Sequence, residues 1–284
     1  MVNRRCYERL VETCLLGSAV VAILIVFLIG AFVFIEGFPI LSGHGLSFLF
    51  GKEWAPLQGV FGVFPMIVGT FYVTVGALIL GVPVGLACAV YLAEYAPRWF
   101  AELIRPAVLL LEGIPSVVYG FFGVVVLVPF IMNQFGGWGF SLLAGAVVLA
   151  LMILPTMIGI SEDAIRSVPR TYKEGSLALG ATHWQTIRKV MLPAARSGIM
   201  AAVVLSLGRA AGETMAILMV AGNVAVIPTS ILDPLRTLTA NVALEMGYAF
   251  GDHTRALFAS GVLLLLIVML LNTFLYLLPK RTGT

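Results

Sequence analysis

The sequence predicts an all-α polytopic membrane protein with six transmembrane helices, on three observations. Of 284 residues, 60% are hydrophobic and only 11% are charged, against about 25% charged in a soluble domain. The mean hydropathy of +1.05 leaves too little polar surface to cover a water-soluble globule. Six stretches are long enough to cross a bilayer, which takes about 20 mostly apolar residues. Continuous runs such as Val262 to Leu271 lack the alternation of barrel strands. The chain reads as one membrane domain over 1–284, and a formal net charge of +3 is too small to suggest nucleic acid.

The spans follow in order. The first, 13–35, is too long for the apolar region of a signal peptide and is expected to stay as an uncleaved span. The others fall at 66–92, 106–132, 140–160, 197–222 and 256–278. Six crossings put both termini on one side. With the N-terminus inside, Arg4, Arg5, Arg9, Arg98, Arg105, Arg166, Arg170, Lys173, Arg188, Lys189, Arg196, Lys280 and Arg281 are cytoplasmic, and only Lys52, Arg236 and Arg255 lie outside. The positive-inside rule gives N-in, C-in. The external loops 36–65, with Trp54, and 223–255, with Glu245, read as interfacial anchors or as docking surfaces. Cys6, Cys14 and Cys88 are scattered, and His44, His183 and His253 fall in different loops. No metal site or disulfide is expected.

The connection 161–196 holds the densest charge. Pro169 stops a helix continuing from the fourth span. Thr171 and Glu174 fit a capping box for a short helix over 172–179, ended by Gly180. Thr182 caps a second helix running to Val190, with Pro193 near its end.

Two spans contain charge. Ser206, Arg209 and Glu213 fall on one helical face, with Glu112 of the third span as a second acidic partner and Ser116 and Tyr119 on its face. An arginine at mid-bilayer costs about 2.5–3.5 kcal/mol on insertion scales, so it must find a partner or water. It either locks spans 3 and 5 together or lines a path on which a guanidinium meets an oxyanion. The pairs Gly208/Gly212 and Gly81/Gly85 read as helix-packing positions.

Glu174-Gly175-Ser176, Gly180 six residues on, then Val190, Leu192 and Pro193 resemble the EAA loop of ABC importer permeases. Glu112-Gly113 followed by Ile114 to Gly120 resembles the third-span signature of phosphate importer permeases of the PstC type, and Gly208 to Ala216 resembles their fifth-span segment. The entry of span 2, Pro65 to Thr70, and Ala93 to Pro97 fit as well, so the likeness runs from about residue 54 onward. The homologous PstA type is the alternative placement.

The resemblance implies an ABC importer type I permease fold and a non-catalytic subunit in a bacterial or archaeal plasma (inner) membrane. It implies a coupling helix seated on an ATP-binding subunit, carried by Tyr172, Glu174, Gly175, Ser176, Leu179, Gly180, Ala181, Leu192 and Pro193. It implies a substrate path or intramembrane charge network at Arg209, Glu213, Glu112, Ser116, Tyr119 and Ser206. The implied partners are a PstA-type permease, a dimer of ATP-binding subunits and an external phosphate-binding protein, besides membrane lipid. The chain has no G-x-x-x-x-G-K-[ST] loop, so no cofactor is expected on it, and ATP and Mg belong to the ATPase. Two alternatives stay open: a permease for sulfate, molybdate or another oxyanion, and an ATP-independent secondary transporter or channel. The latter would bring broken helices or inverted repeats, which the sequence does not reveal.

Overall fold

The computed structural model describes residues 2–277, with side chains over 8–273. Lys280, Arg281 and the last residue of the sixth expected span lie outside the described residues, as do the side chains of Arg4, Arg5 and Cys6. Thirteen helices and one small hairpin make up the rest.

Helix α1, Val2–Phe50, is far longer than the expected 13–35 span, because nothing in its apolar run stops it before Gly45, whose φ of 49° bends the chain. The loop expected over 36–65 is therefore mostly helix. What remains of it is a hairpin of β1 (Trp54–Ala55) and β2 (Val60–Phe61), antiparallel with Trp54 opposite Phe61. Helix α2, Phe64–Val90, runs into a π turn at Tyr91–Tyr95.

The third span is broken. Helix α3, Arg98–Glu112, stops at Gly113, and α4, Ser116–Phe122, starts after Pro115. Proline has no N–H to continue the ladder and pushes its predecessor out of the helical region. A π turn at Gly123–Leu127 leads into α5, Val128–Phe135. The fourth span, α6, is Leu142–Arg166, and its N-cap Ser141 accepts from Ala144 N–H.

After α6 come α7 (Arg170–Ala178) and α8 (His183–Thr186), a π turn (Ile187–Met191) and α9 (Leu192–Ala194). The fifth span is broken too: α10, Arg196–Ala211, ends before Gly212, and α11, Met215–Val220, follows. The 223–255 loop contains a helix, α12 (Leu238–Glu245), ahead of the last span, α13 (Asp252–Leu277). Among the described residues, five helices are long and apolar enough to cross a membrane by themselves. A sixth span is formed when His183–Ala194 and Arg196–Ala211, bent by 69°, count as one.

At the centre α2 packs on α6. A side chain at Gly81 would sit 2.7 Å from Ile153, and one at Gly85 2.6 Å from Met157, so these glycines permit close helix contact, as expected. Gly208 behaves differently: nothing lies within 4 Å of the place its Cβ would take, so it packs on no helix of this chain. Val73, Leu149, Ile153 and Ile217 form the central core. Phe48, Phe61, Met66 and Leu238 close one end, and Ala89, Ile165, Ile187 and Met191 the other. That second end gathers the basic residues around α6 and α7. Helix α1 meets the bundle along α13, where Gly37 lies against the Ala259 backbone and Phe32 packs edge-on to Phe258 at 5.5 Å.

Candidate functional site

The break in span 3 puts Glu112 at the C-terminal end of α3, beside α6 and α10. Arg209 donates to Thr156 Oγ1 at 3.1 Å and to Glu112 Oε1 at 3.4 Å, and the Thr156 hydroxyl donates to the same Glu112 oxygen at 3.0 Å. The Arg209 and Glu112 side chains remain 29% and 44% exposed. Tyr119 donates its hydroxyl to the Leu111 carbonyl at 2.9 Å and spans the helix break. Ser116 is half-buried at the start of α4.

Glu213 does not join Arg209 as a one-turn partner. The helix that would have aligned them stops at Ala211, and the Glu213 carboxylate instead accepts from Ala216 N–H at 3.1 Å, covering the N-terminus of α11. Its backbone carbonyl accepts from Thr239 Oγ1 at 2.9 Å. Ser206 is fully buried, and its hydroxyl has no partner. The structure thus brings together Arg209 and Glu112, with Tyr119 nearby, and separates Glu213 and Ser206 from them. Thr156, which no sequence signal marks, completes the cluster.

At the basic end α7 buries none of its residues. Tyr172, Glu174 and Gly175 are exposed, and Leu179 is 91% exposed. The expected Thr171–Glu174 box does not form, because Pro169 already starts the helix and places Thr171 inside it. Gly180 ends it with φ of 85°, its N–H bonding the Leu177 carbonyl, and Ala181 N–H bonds Ser176 O. Thr182 and Gln185 form a capping box for α8. Ser176 Oγ meets Thr186 Oγ1 at 3.0 Å. Leu192 is half-buried and Pro193 exposed in α9.

Helix α7 is tied to the bundle through Glu94 in the π turn after α2. Lys173 Nζ lies 2.6 Å from Glu94 Oε2, and His183 Nε2 3.3 Å from the same oxygen. His183 also meets the Tyr95 ring at 4.9 Å. A second buried acid, Glu162, receives Arg105 Nε and Arg166 Nε, each at 2.8 Å. Sequence reading gave neither acid a role, since their partners come from other helices.

The far end is pinned by Glu245. It accepts from Trp54 Nε1 at 2.8 Å and Arg236 at 2.7 Å and meets His253 at 2.8 Å. Trp54 is therefore a half-buried link between the hairpin, α12 and α13. In the loop before α12, the hydroxyl of Thr229 and the backbone N–H groups of Ser230 and Thr229 hold the Asp233 carboxyl below the ordinary carboxylate range.

A bundle of apolar spans with a partly exposed charged pair on its flank and a bare helix at one end fits one class, the membrane subunit of a transporter. The chain belongs to the family of binding-protein-dependent transport system inner membrane components, whose profile matches residues 81–283. It has the ABC importer type I permease fold. It is similar to the MetNI methionine ABC transporter in its inward-facing form at 24% identity and TM-score 0.59, over 82% of this chain and 100% of that one. An amino acid ABC transporter shares the fold at 18% identity and TM-score 0.54, over 76% and 92%. A probable ABC transporter permease, YqgH of Bacillus subtilis, is 44% identical over 87% of this chain and 80% of its own length. The phosphate transport system permease PstC of Mesorhizobium japonicum is 38% identical over 92% and 89%, and PstC 1 of Mycobacterium tuberculosis 34% over 84% and 82%. The broken helices at 113–115 and 212–214 therefore occur here in an importer permease, and they do not single out a secondary transporter.

Proposed function

We propose that this chain is the PstC-type permease subunit of an ATP-driven importer of inorganic phosphate. The observation that carries the reading is its likeness to PstC permeases of several bacteria, at 34–38% identity over at least 84% of the chain. The site chemistry agrees with it. A guanidinium presents several donors in a planar fork suited to a tetrahedral oxyanion, and Arg209 and Glu112 stay partly exposed among the described residues. An exposed charge pair cannot face hydrocarbon cheaply. The face that carries it therefore borders a water-filled path completed by a second permease of the PstA type. Glu112 competes with the anion for Arg209, which keeps the site from holding its cargo too tightly.

In this reading the basic end faces the cytoplasm of a plasma (inner) membrane, with both termini inside, by the positive-inside rule. Helix α7 is the coupling helix, and Tyr172, Glu174, Gly175, Ser176, Leu179, Gly180, Ala181, Leu192 and Pro193 form or support the surface met by a dimer of ATP-binding subunits. ATP and Mg act on that dimer, because this chain has no phosphate-cradling loop. An external phosphate-binding protein delivers the cargo to the opposite end.

The test is uptake by the whole complex in proteoliposomes. ATP-dependent phosphate uptake, competed by arsenate and not by sulfate, is the expected result. Sulfate or molybdate uptake in place of phosphate would transfer the reading to another oxyanion. Uptake without ATP would return it to a secondary transporter.

A further inference from the structure

Helix α3 buries one residue, Ala101, and is bounded by Pro97 at its start and by Gly113 and Pro115 at its end. Besides the Tyr91–Phe100 ring contact and the Glu112–Arg209 pair with α10, two polar staples fix it to α6. At the basic end Arg105 Nε donates to Glu162 Oε1 at 2.8 Å. Two turns on, Glu112 Oε1 accepts from Thr156 Oγ1 at 3.0 Å. Thr156 and Glu162 are six residues apart on α6, so α3 lies antiparallel along it.

The first staple is shared. Arg166 donates to the same Glu162 oxygen at 2.8 Å and to the Leu92 carbonyl at 3.2 Å. Leu92 belongs to the π turn whose Glu94 holds Lys173 of α7 at 2.6 Å. Charge-assisted bonds thus link α7 to the π turn, the π turn to the end of α6, and that end of α6 to one end of α3, and the other end of α3 carries the carboxylate paired with Arg209. The π turn has a wider ring than an α-helical turn, and such bulges recur at functional sites.

We propose that α3 is a movable strut: the position of α7 sets whether Glu112 neutralises Arg209, and Arg105 is the positioning residue that transmits it. The proposal rests on the reading above, in which α7 meets the ATPase and Arg209 meets the anion. When α7 is drawn toward the closing ATPase dimer, Lys173 pulls the π turn through Glu94. The end of α6 beyond Pro155, which carries Glu162 and Arg166, moves with the turn, and Arg105 draws its end of α3 along. Glu112 then leaves Arg209, whose guanidinium is free for cargo, and its return displaces the anion.

The test is Arg105→Gln in the fully assembled complex. The side chain is a third exposed, and the Arg166–Glu162 bond stays in place. ATP hydrolysis is expected to stay within about twofold of wild type, while phosphate moved per ATP falls about tenfold, within the range of coupling effects between sites. Arg105→Lys should restore part of the ratio. Spin labels at the exposed Leu109 of α3 and Leu151 of α6, in a cysteine-free background, should report an ATP-dependent distance change that Arg105→Gln abolishes. An unchanged transport-to-hydrolysis ratio, or no distance change in the unsubstituted complex, overturns the strut. Failure of the Gln variant to assemble overturns it too, since Arg105 would then be a folding residue. A complex that hydrolyses ATP and shows the distance change yet moves no phosphate refutes the cargo and leaves the strut standing.

Discussion

Arg209 needs a partner inside the membrane, and Glu112 and Thr156 supply it at 3.4 and 3.1 Å; in the proposed function it is also the donor for cargo. Arg209→Gln removes the charge and keeps a hydrogen-bonding group. A hydrogen bond to a charged group contributes about 1.5–3 kcal/mol, so phosphate uptake should fall by about 10- to 100-fold in an assembled complex. Full uptake by a correctly assembled Gln variant would remove Arg209 from the path. Asp233 gives a prediction of the opposite kind, about pH. Its folded pKa lies below the unfolded value of about 3.9, because Thr229 and Ser230 bond its ionised form. Its contribution to stability is therefore present above that value and is lost as pH falls through the folded pKa. The wild-type melting temperature should exceed that of Asp233→Asn at neutral pH, and the gap should close on acidification. The pairing of Arg209 with an acid was legible in the sequence, because an arginine in an apolar run requires one. Which acid was not: i+4 spacing favoured Glu213, and the choice was made at Gly212, where the helix ends before it reaches Glu213.

Among the elements, the connection between spans 4 and 5 was the most readable. Pro169, Gly180 and Thr182 each act locally, through a missing N–H, a left-handed φ and a side-chain cap, and they set both ends of α7 and the start of α8; the second helix, expected to run to Val190, instead passes into a π turn at Ile187. The breaks at Gly113–Pro115 and Gly212–Thr214 carry the same kind of local signal, but a long apolar run around each favours reading through it. The anchors of α7 are another matter. Glu94 and Lys173 are 79 residues apart, and nothing short of the folded bundle pairs them. The surface α7 presents leads to a prediction. Leu179 is 91% exposed, so Leu179→Asp should change folding stability by no more than about 0.5 kcal/mol. If α7 seats on the ATPase, the same change should weaken capture of that subunit by about 30-fold, the effect of losing an interface anchor of about 2 kcal/mol. Co-purification at graded ATPase concentration measures it, and unchanged capture would place the contact elsewhere.

For the whole molecule, composition and apolar run length settled the class, while the order of packing came from details the sequence holds only implicitly, such as Gly81 and Gly85 beneath Ile153 and Met157. Two features remain open on one side: the half-exposed pair of Arg209 and Glu112, and Gly208 with free space around it. A second permease that covers them binds the folded chain and not the unfolded one. Its presence should therefore raise the melting temperature of this chain in detergent in a concentration-dependent way, and a chain that melts identically alone and with that partner would rule out this face as their junction.

Helix α1 brings the surrounding lipid into the mechanism. The stretch from Leu15 to Ile35, which ends at the charged Glu36, is about 30 Å of apolar rod at about 1.5 Å per residue. It matches a slab of hydrocarbon about 30 Å deep with little tilt. Residues 8–29 of α1 are exposed, and the helix meets α13 farther along, at Phe32 and Gly37, so lipid surrounds most of this crossing. A bilayer thicker than the apolar run has to thin around the helix or draw its polar ends inward, so the thickness of the host membrane becomes a mechanical load on the transporter.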